Sequence, residues 1–150
     1  MRSLILISLV CTFAAAAFEI PNSLMPEGGD IEWRMVGQRT HVFRDGLLEA
    51  KERNKPVLVF FTCGCDTCHT LWVEHFSDPD AVELSEKFIP LFVKGNQELV
   101  REYDVAGCPY VVFIAPDGEI IRDYKEDKLL EMDGPGFAKR MKRILKLIQD

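Results

Sequence analysis

Two cysteines three apart, Cys65 and Cys68, carry the chemistry that this chain is best equipped to do. A disulfide between them would close almost no loop, so it would add little stability, and exchange chemistry explains the spacing better. The attacking species in thiol–disulfide exchange is the thiolate. A helix N-terminus favours that anion through unpaired amides and the dipole. Cys65 at the opening of a helix is therefore the expected nucleophile, and Cys68, one turn inside, the thiol that resolves a mixed disulfide. Asp66 places a negative charge beside the first sulfur and opposes the helix. Cys63 and Cys108 are candidate auxiliary thiols. Cys63 also reads as a small, partly buried hydrophobe at a strand end, and Cys108 as packing. Cys63, Cys65, Cys68 and His69, with Cys108, could alternatively hold zinc. A bound metal would consume the nucleophile, so neither metal nor cofactor is expected. A third reading is a redox-inert binding module.

The elements that must position these residues follow from apolar patterning. Ile31–Val36 alternates as a short strand would, and residues 40–54 carry Phe43, Leu47, Leu48 and Ala50 at helical spacing before Pro56 stops the helix. Val57–Phe61 is a continuous apolar run, expected as a strand buried on both faces, and it leads directly into Cys63–Cys68. Asp78-Pro79 starts a helix as cap and first turn, with Ala81, Val82, Leu84 and Phe88 inward. Ile89–Val93 is a second buried strand, Glu98–Tyr103 a short helix and Val111–Ile114 a third strand. Pro116-Asp117-Gly118 turns into a hairpin partner over Ile120–Tyr124. A last helix from Gly134-Pro135 turns Phe137, Met141, Ile144, Leu145 and Ile148 to one side. The basic run Lys139–Arg143 is its solvated face. Helices alternating with buried strands imply an α/β fold, a central sheet with flanking helices.

The 150 residues suit one domain, expected over residues 31–150. Residues 1–17 have the layout of a secretory signal peptide: Arg2, the apolar run Leu4–Val10, and small residues Ala14–Ala17. Residues 18–30, with Pro21, Pro26, Gly28 and Gly29, are expected to form a flexible leader. Cleavage would remove Cys11 and leave four cysteines, which allow three fully paired connectivities. Export suits disulfides. A net charge of −6 argues against nucleic acid as a partner, and no membrane partner is expected after cleavage. The last residues, Leu147–Asp150, do not form a Lys-Asp-Glu-Leu type signal, so secretion is the simpler expectation over retention in the endoplasmic-reticulum lumen.

Three stretches together carry a family resemblance: Lys55–Phe61, Cys65-Asp66-Thr67-Cys68, and Gly107-Cys108-Pro109-Tyr110 running on to Gly118. They resemble a thioredoxin domain. Ile31–Arg34 and Glu49-Ala50-Lys51 are most similar to the small endoplasmic-reticulum thioredoxin-domain proteins of the anterior-gradient group. The resemblance implies a thioredoxin-like fold and protein thiols or disulfides as partners. It also implies that Pro109 is a cis-proline facing the cysteine pair, with Cys108 beside it, both touching substrate. Two positions depart from the pattern: Val59 stands where a buried acid is usual, and Gly64 where a Trp is usual before the first cysteine. Proton transfer at Cys68 then needs another group or water.

Overall fold

The computed structural model describes residues 30–121 and 132–149. Its elements are β1 (Arg34–Met35), α1 (Thr40–Arg53), β2 (Val57–Thr62), α2 (Asp66–His75), α3 (Pro79–Ser85), β3 (Ile89–Lys94), α4 (Gln97–Glu102), β4 (Tyr110–Ile114) and α5 (Gly134–Gln149). Four strands form one mixed sheet in the order β1-β3-β2-β4. β3 runs parallel to both β1 and β2, while β4 is antiparallel to β2. β2 is thus paired on both edges and buried along its length, which suits its unbroken apolar sequence.

Alternate residues of each strand feed opposite layers. Leu58 and Phe60 join one core with Phe92, Val111 and Phe113, beneath α2, α3 and α5. Val57, Val59 and Phe61 join the other with Leu91, Val93 and Val112, beneath α1 and α4. The helices end where their sequences provide stops. Asn54 closes α1 in the left-handed region (φ 51°), donating its amide to the carbonyls near Ala50. Asp78 caps α3 by accepting from the Ala81 amide at 3.0 Å, and Pro79 occupies the first turn. Asn96 caps α4 in the same way, through the Leu99 amide at 3.1 Å.

Several expectations need correction. Leu48 is 60% exposed, and the inner face of α1 runs instead through Phe43, Gly46 and Ala50. A Cβ on Gly46 would meet both terminal methyls of Leu91 at 3.0 Å, so the glycine brings α1 close to β3. The first strand is only two residues long, because β1 covers β3 at Leu91 and Phe92 alone. Trp33, just before it, is half-buried against Phe60, Trp72, Phe76 and Phe92. Of the expected hairpin partner, Ile120 bridges Ile114 antiparallel, and residues 122–124 lie outside the described residues. The expected signal segment and leader also lie outside them, apart from residue 30. On α5, Lys139, Lys142 and Arg143 are exposed while Phe137, Ala138, Met141 and Ile144 are buried. Among the described residues, no helix is long and apolar enough to cross a membrane.

Candidate active site

β2 delivers the chain to the site. After Thr62 the backbone turns through Gly64 in the left-handed region (φ 80°) and enters α2 at Cys65. A side chain at Gly64 would be strained there, and its Cβ would also lie 3.1 Å from the Lys94 ammonium. This explains why a Trp is not accommodated before Cys65. Cys65 is the N-cap of α2, and its sulfur accepts the Cys68 amide at 3.4 Å. An N-cap sulfur faces unpaired amides, which is where a thiolate is stabilised. Cys65 is half-buried, whereas Cys68 is 3% exposed and belongs to the aromatic core. Their sulfurs are 3.0 Å apart and both are free thiols.

Burial pushes the Cys68 thiol up and is the largest single influence on it. Hydrogen bonds with the Cys65 thiol, the Thr62 hydroxyl and the backbone of Cys63 and Cys65 together outweigh burial, so Cys68 ionises below its ordinary value. Because the two thiols share a hydrogen bond, the first proton to leave belongs to the pair.

Cys63 and Cys108 are joined to each other by a disulfide. Neither is a free auxiliary thiol in this structure, and Cys63 is exposed rather than a partly buried hydrophobe. The pairing follows from register. Phe61 of β2 stands opposite Tyr110 of β4. In an antiparallel ladder, the residue two beyond Phe61 then faces the residue two before Tyr110. Those residues are Cys63 and Cys108, with Cα atoms 6.0 Å apart, within bonding range. The Cys108–Pro109 peptide is cis.

The four sulfurs all lie within 4.8 Å of one another, and Cys63 is 3.9 Å from Cys68. Such a set suits a soft cation once all four are thiolates, which requires opening the Cys63–Cys108 bond. His69 is exposed on α2 and lines the cleft beside Cys65.

Two clefts flank the sulfurs. One, of about 230 Å³, is lined by Phe60, Thr62, Cys65, Cys68, Trp72 and Lys94 among others. The other, of about 390 Å³, is lined by Cys63, Cys108, Lys94, Val100 and Val105 among others. Val59 lies in neither; it packs in the α1/α4 layer, across the sheet from Cys68. The polar group beside Cys68 is Thr62, with Lys94 at the rim. Sequence reasoning missed both. The available signals were the first polar residue after the run Val57–Phe61 and the first charge after Ile89–Val93.

The geometry has counterparts among solved structures. An oxidoreductase named DsbH superposes with a TM-score of 0.62 at 19% identity, covering 80% of this chain and 88% of its own. A disulphide isomerase from Xylella fastidiosa Temecula1 gives 0.61 at 21% identity, over 77% of this chain and 97% of its own. A thioredoxin from Thermus thermophilus gives 0.61 at 22% identity, over 77% and 88%. These likenesses establish the fold. No curated protein matches the chain significantly. The family model described as thioredoxin-like matches residues 40–116, from the start of α1 to just beyond β4, more than half of the sequence. With its mixed four-stranded sheet and flanking helices, the chain belongs to the thioredoxin-like family.

Proposed function

We propose that this chain is a thiol–disulfide oxidoreductase acting on protein disulfides in the secretory pathway, with Cys65 as nucleophile and Cys68 as resolving thiol. One observation carries the reading: a half-buried sulfur caps α2 while a second, buried sulfur waits 3.0 Å behind it. The Cys65 thiolate attacks one sulfur of a substrate disulfide. A mixed disulfide forms, and the other substrate sulfur leaves as a thiolate that takes a proton from water. Cys68 then attacks the Cys65 sulfur, closing Cys65–Cys68 and releasing the second substrate thiolate. Two electrons pass from the protein to the substrate, and the reverse sequence oxidises a substrate dithiol.

Thr62 donates to the Cys68 sulfur and favours its ionised form, whereas position 59, across the sheet, is not placed to act on Cys68. Cys108-Pro109, immediately before β4 and beside the cysteine pair, is the segment against which an extended substrate would lie. The oxidoreductase and isomerase names of the structural neighbours support this chemistry. The signal-like pattern of residues 1–17 and the Cys63–Cys108 disulfide support an oxidising, exported setting. The resemblance around Ile31–Arg34 to the anterior-gradient group points the same way.

The test is substrate trapping with single variants. Cys68→Ser should hold a disulfide-bonded protein substrate as a mixed disulfide at Cys65, and Cys65→Ser should hold little or none. If Cys65→Ser traps as well or better, the roles are reversed. If neither traps and wild-type protein reduces no protein disulfide, the function is wrong.

A further inference from the structure

The Cys63–Cys108 bond sits closer to the dithiol than a merely structural disulfide needs to. Both of its cysteines are exposed, and exposed disulfides are the labile class. It is held at the open end of the β2–β4 ladder, two residues beyond the last pair, Phe61 and Tyr110. Cys68 lies 3.9 Å from Cys63 and 3.0 Å from Cys65, so its sulfur is near both its own partner and the disulfide. The pairs also border different clefts, Cys65/Cys68 the smaller and Cys63/Cys108 the larger.

We propose that Cys63–Cys108 is a second redox centre in direct exchange with the Cys65/Cys68 dithiol, Cys68 being the sulfur that links them. The inference extends the exchange chemistry proposed above to a site that no external substrate has to touch. In the first step the Cys68 thiolate attacks Cys63. A Cys63–Cys68 bond forms, the Cys63–Cys108 bond breaks, and Cys108 leaves as a thiolate. In the second, the Cys65 thiolate attacks Cys68. Cys65–Cys68 forms and Cys63 leaves as a thiolate. Each departing thiolate takes up one of the protons lost by the attacking thiols. The sum is an isomerisation: Cys65/Cys68 is oxidised by two electrons and Cys63/Cys108 reduced by two, with no outside oxidant. A disulfide formed at one cleft can therefore be passed to the other inside one molecule.

Cys65→Ser isolates the first step, because Cys68 then has only the Cys63–Cys108 bond to attack, and Cys63 at 3.9 Å is the expected target. The variant, prepared with Cys63–Cys108 closed, is incubated, quenched with acid, alkylated and cleaved on the amino side of aspartate. Cleavage before Asp66 separates Cys63 from Cys68, and cleavage before Asp104 and Asp117 isolates Cys108. A cross-link between the Cys63 and Cys68 peptides, with label on Cys108, is expected. Label on Cys68 alone, with Cys63–Cys108 intact, overturns the proposal. A second measurement uses the wild-type chain. Titration against glutathione should exchange four electrons per molecule, falling to two in Cys108→Ser; a wild type that exchanges only two, with Cys63–Cys108 closed throughout, overturns it as well. Trapping by Cys68→Ser reads Cys65 without this exchange, so the proposed function and the internal relay fail separately.

Discussion

The layer beneath α2, α3 and α5 is built of rings: Phe60, Trp72, Phe76, Phe92 and Phe137 are buried there and pack edge to face or tilted against neighbours. The layer beneath α1 and α4 is mostly aliphatic, with Val36, Val57, Val59, Leu91, Val93 and Leu99 around Phe43 and Tyr103. Rings are large and stiff, and their packing on one side of the sheet leaves the cleft into which Cys65 and Cys68 open. Branched aliphatics interdigitate and fill. The sheet thus separates an aromatic layer that frames the Cys65/Cys68 cleft from an aliphatic layer whose rim borders the cleft at Cys63 and Cys108.

The largest test of that contrast compares one phenylalanine from each side. Phe60→Ala and Phe43→Ala each remove a fully buried ring and should each cost about 3–5 kcal/mol in denaturant unfolding. Only Phe60→Ala should speed alkylation of Cys68, because Phe60 lines the cleft and Phe43 lies across the sheet. Phe60→Leu and Phe43→Leu give the same comparison at lower cost if the alanine variants do not fold. Equal acceleration from both sides would break the contrast.

A smaller effect is expected from Thr62. Thr62→Val removes a hydrogen bond to the Cys68 sulfur, a charge-assisted contact worth about 1.5–3 kcal/mol. The apparent pKa of the dithiol, followed by thiolate absorbance, should rise. The folded pKa of Cys68 is depressed, so between it and the ordinary value of 9.0 the unfolded chain binds more protons. Stability contributed by Cys68 is therefore present above that ordinary value and is lost as pH falls through the folded one. Unfolding of the dithiol form at several pH values, against Cys68→Ala, should show this difference shrink as pH falls. Thr62→Val should weaken it, and an unchanged titration would remove Thr62 from the site.

The smallest effect belongs to the outer side of the aliphatic layer. Arg44 on α1 holds Glu102 on α4 through two hydrogen bonds of 2.7 and 2.6 Å, and the pairing raises the arginine further above its ordinary value. Both side chains are substantially exposed, so Arg44→Ala should cost only about 0.2–1 kcal/mol, less at high salt, and leave Cys68 alkylation unchanged.

What was legible in the sequence was what local pattern determines. The three apolar runs became β2, β3 and β4, the cap at Asp78 and the start at Gly134 sit where elements begin, and the first helix ends shortly before Pro56. The position of Cys65 at the mouth of a helix followed from a strand running straight into a Cys-x-x-Cys spacing. Leu48 was misplaced because helical spacing gives a stripe, and the packing that Gly46 permits against Leu91 rotates that stripe. The Cys63–Cys108 pairing was not legible, since it depends on the register between β2 and a strand some fifty residues later, and connectivity alone allowed three answers. Thr62 was hidden for a similar reason: nothing local says which layer the last residue of a buried strand will face.

The brevity of β1 has a consequence for how this chain behaves among copies of itself. Among the described residues β1 pairs with β3 only at Leu91 and Phe92, so the start of β3 is an unpaired sheet edge of the kind that recruits other strands. Amides alternate in direction along a strand, and the Ile89 amide points inward to Pro56. The next residue, whose amide would point outward, is Pro90, which has none. A foreign strand docking there would find no donor at that rung. One imino acid thus makes this unpaired stretch a poorer template for aggregation.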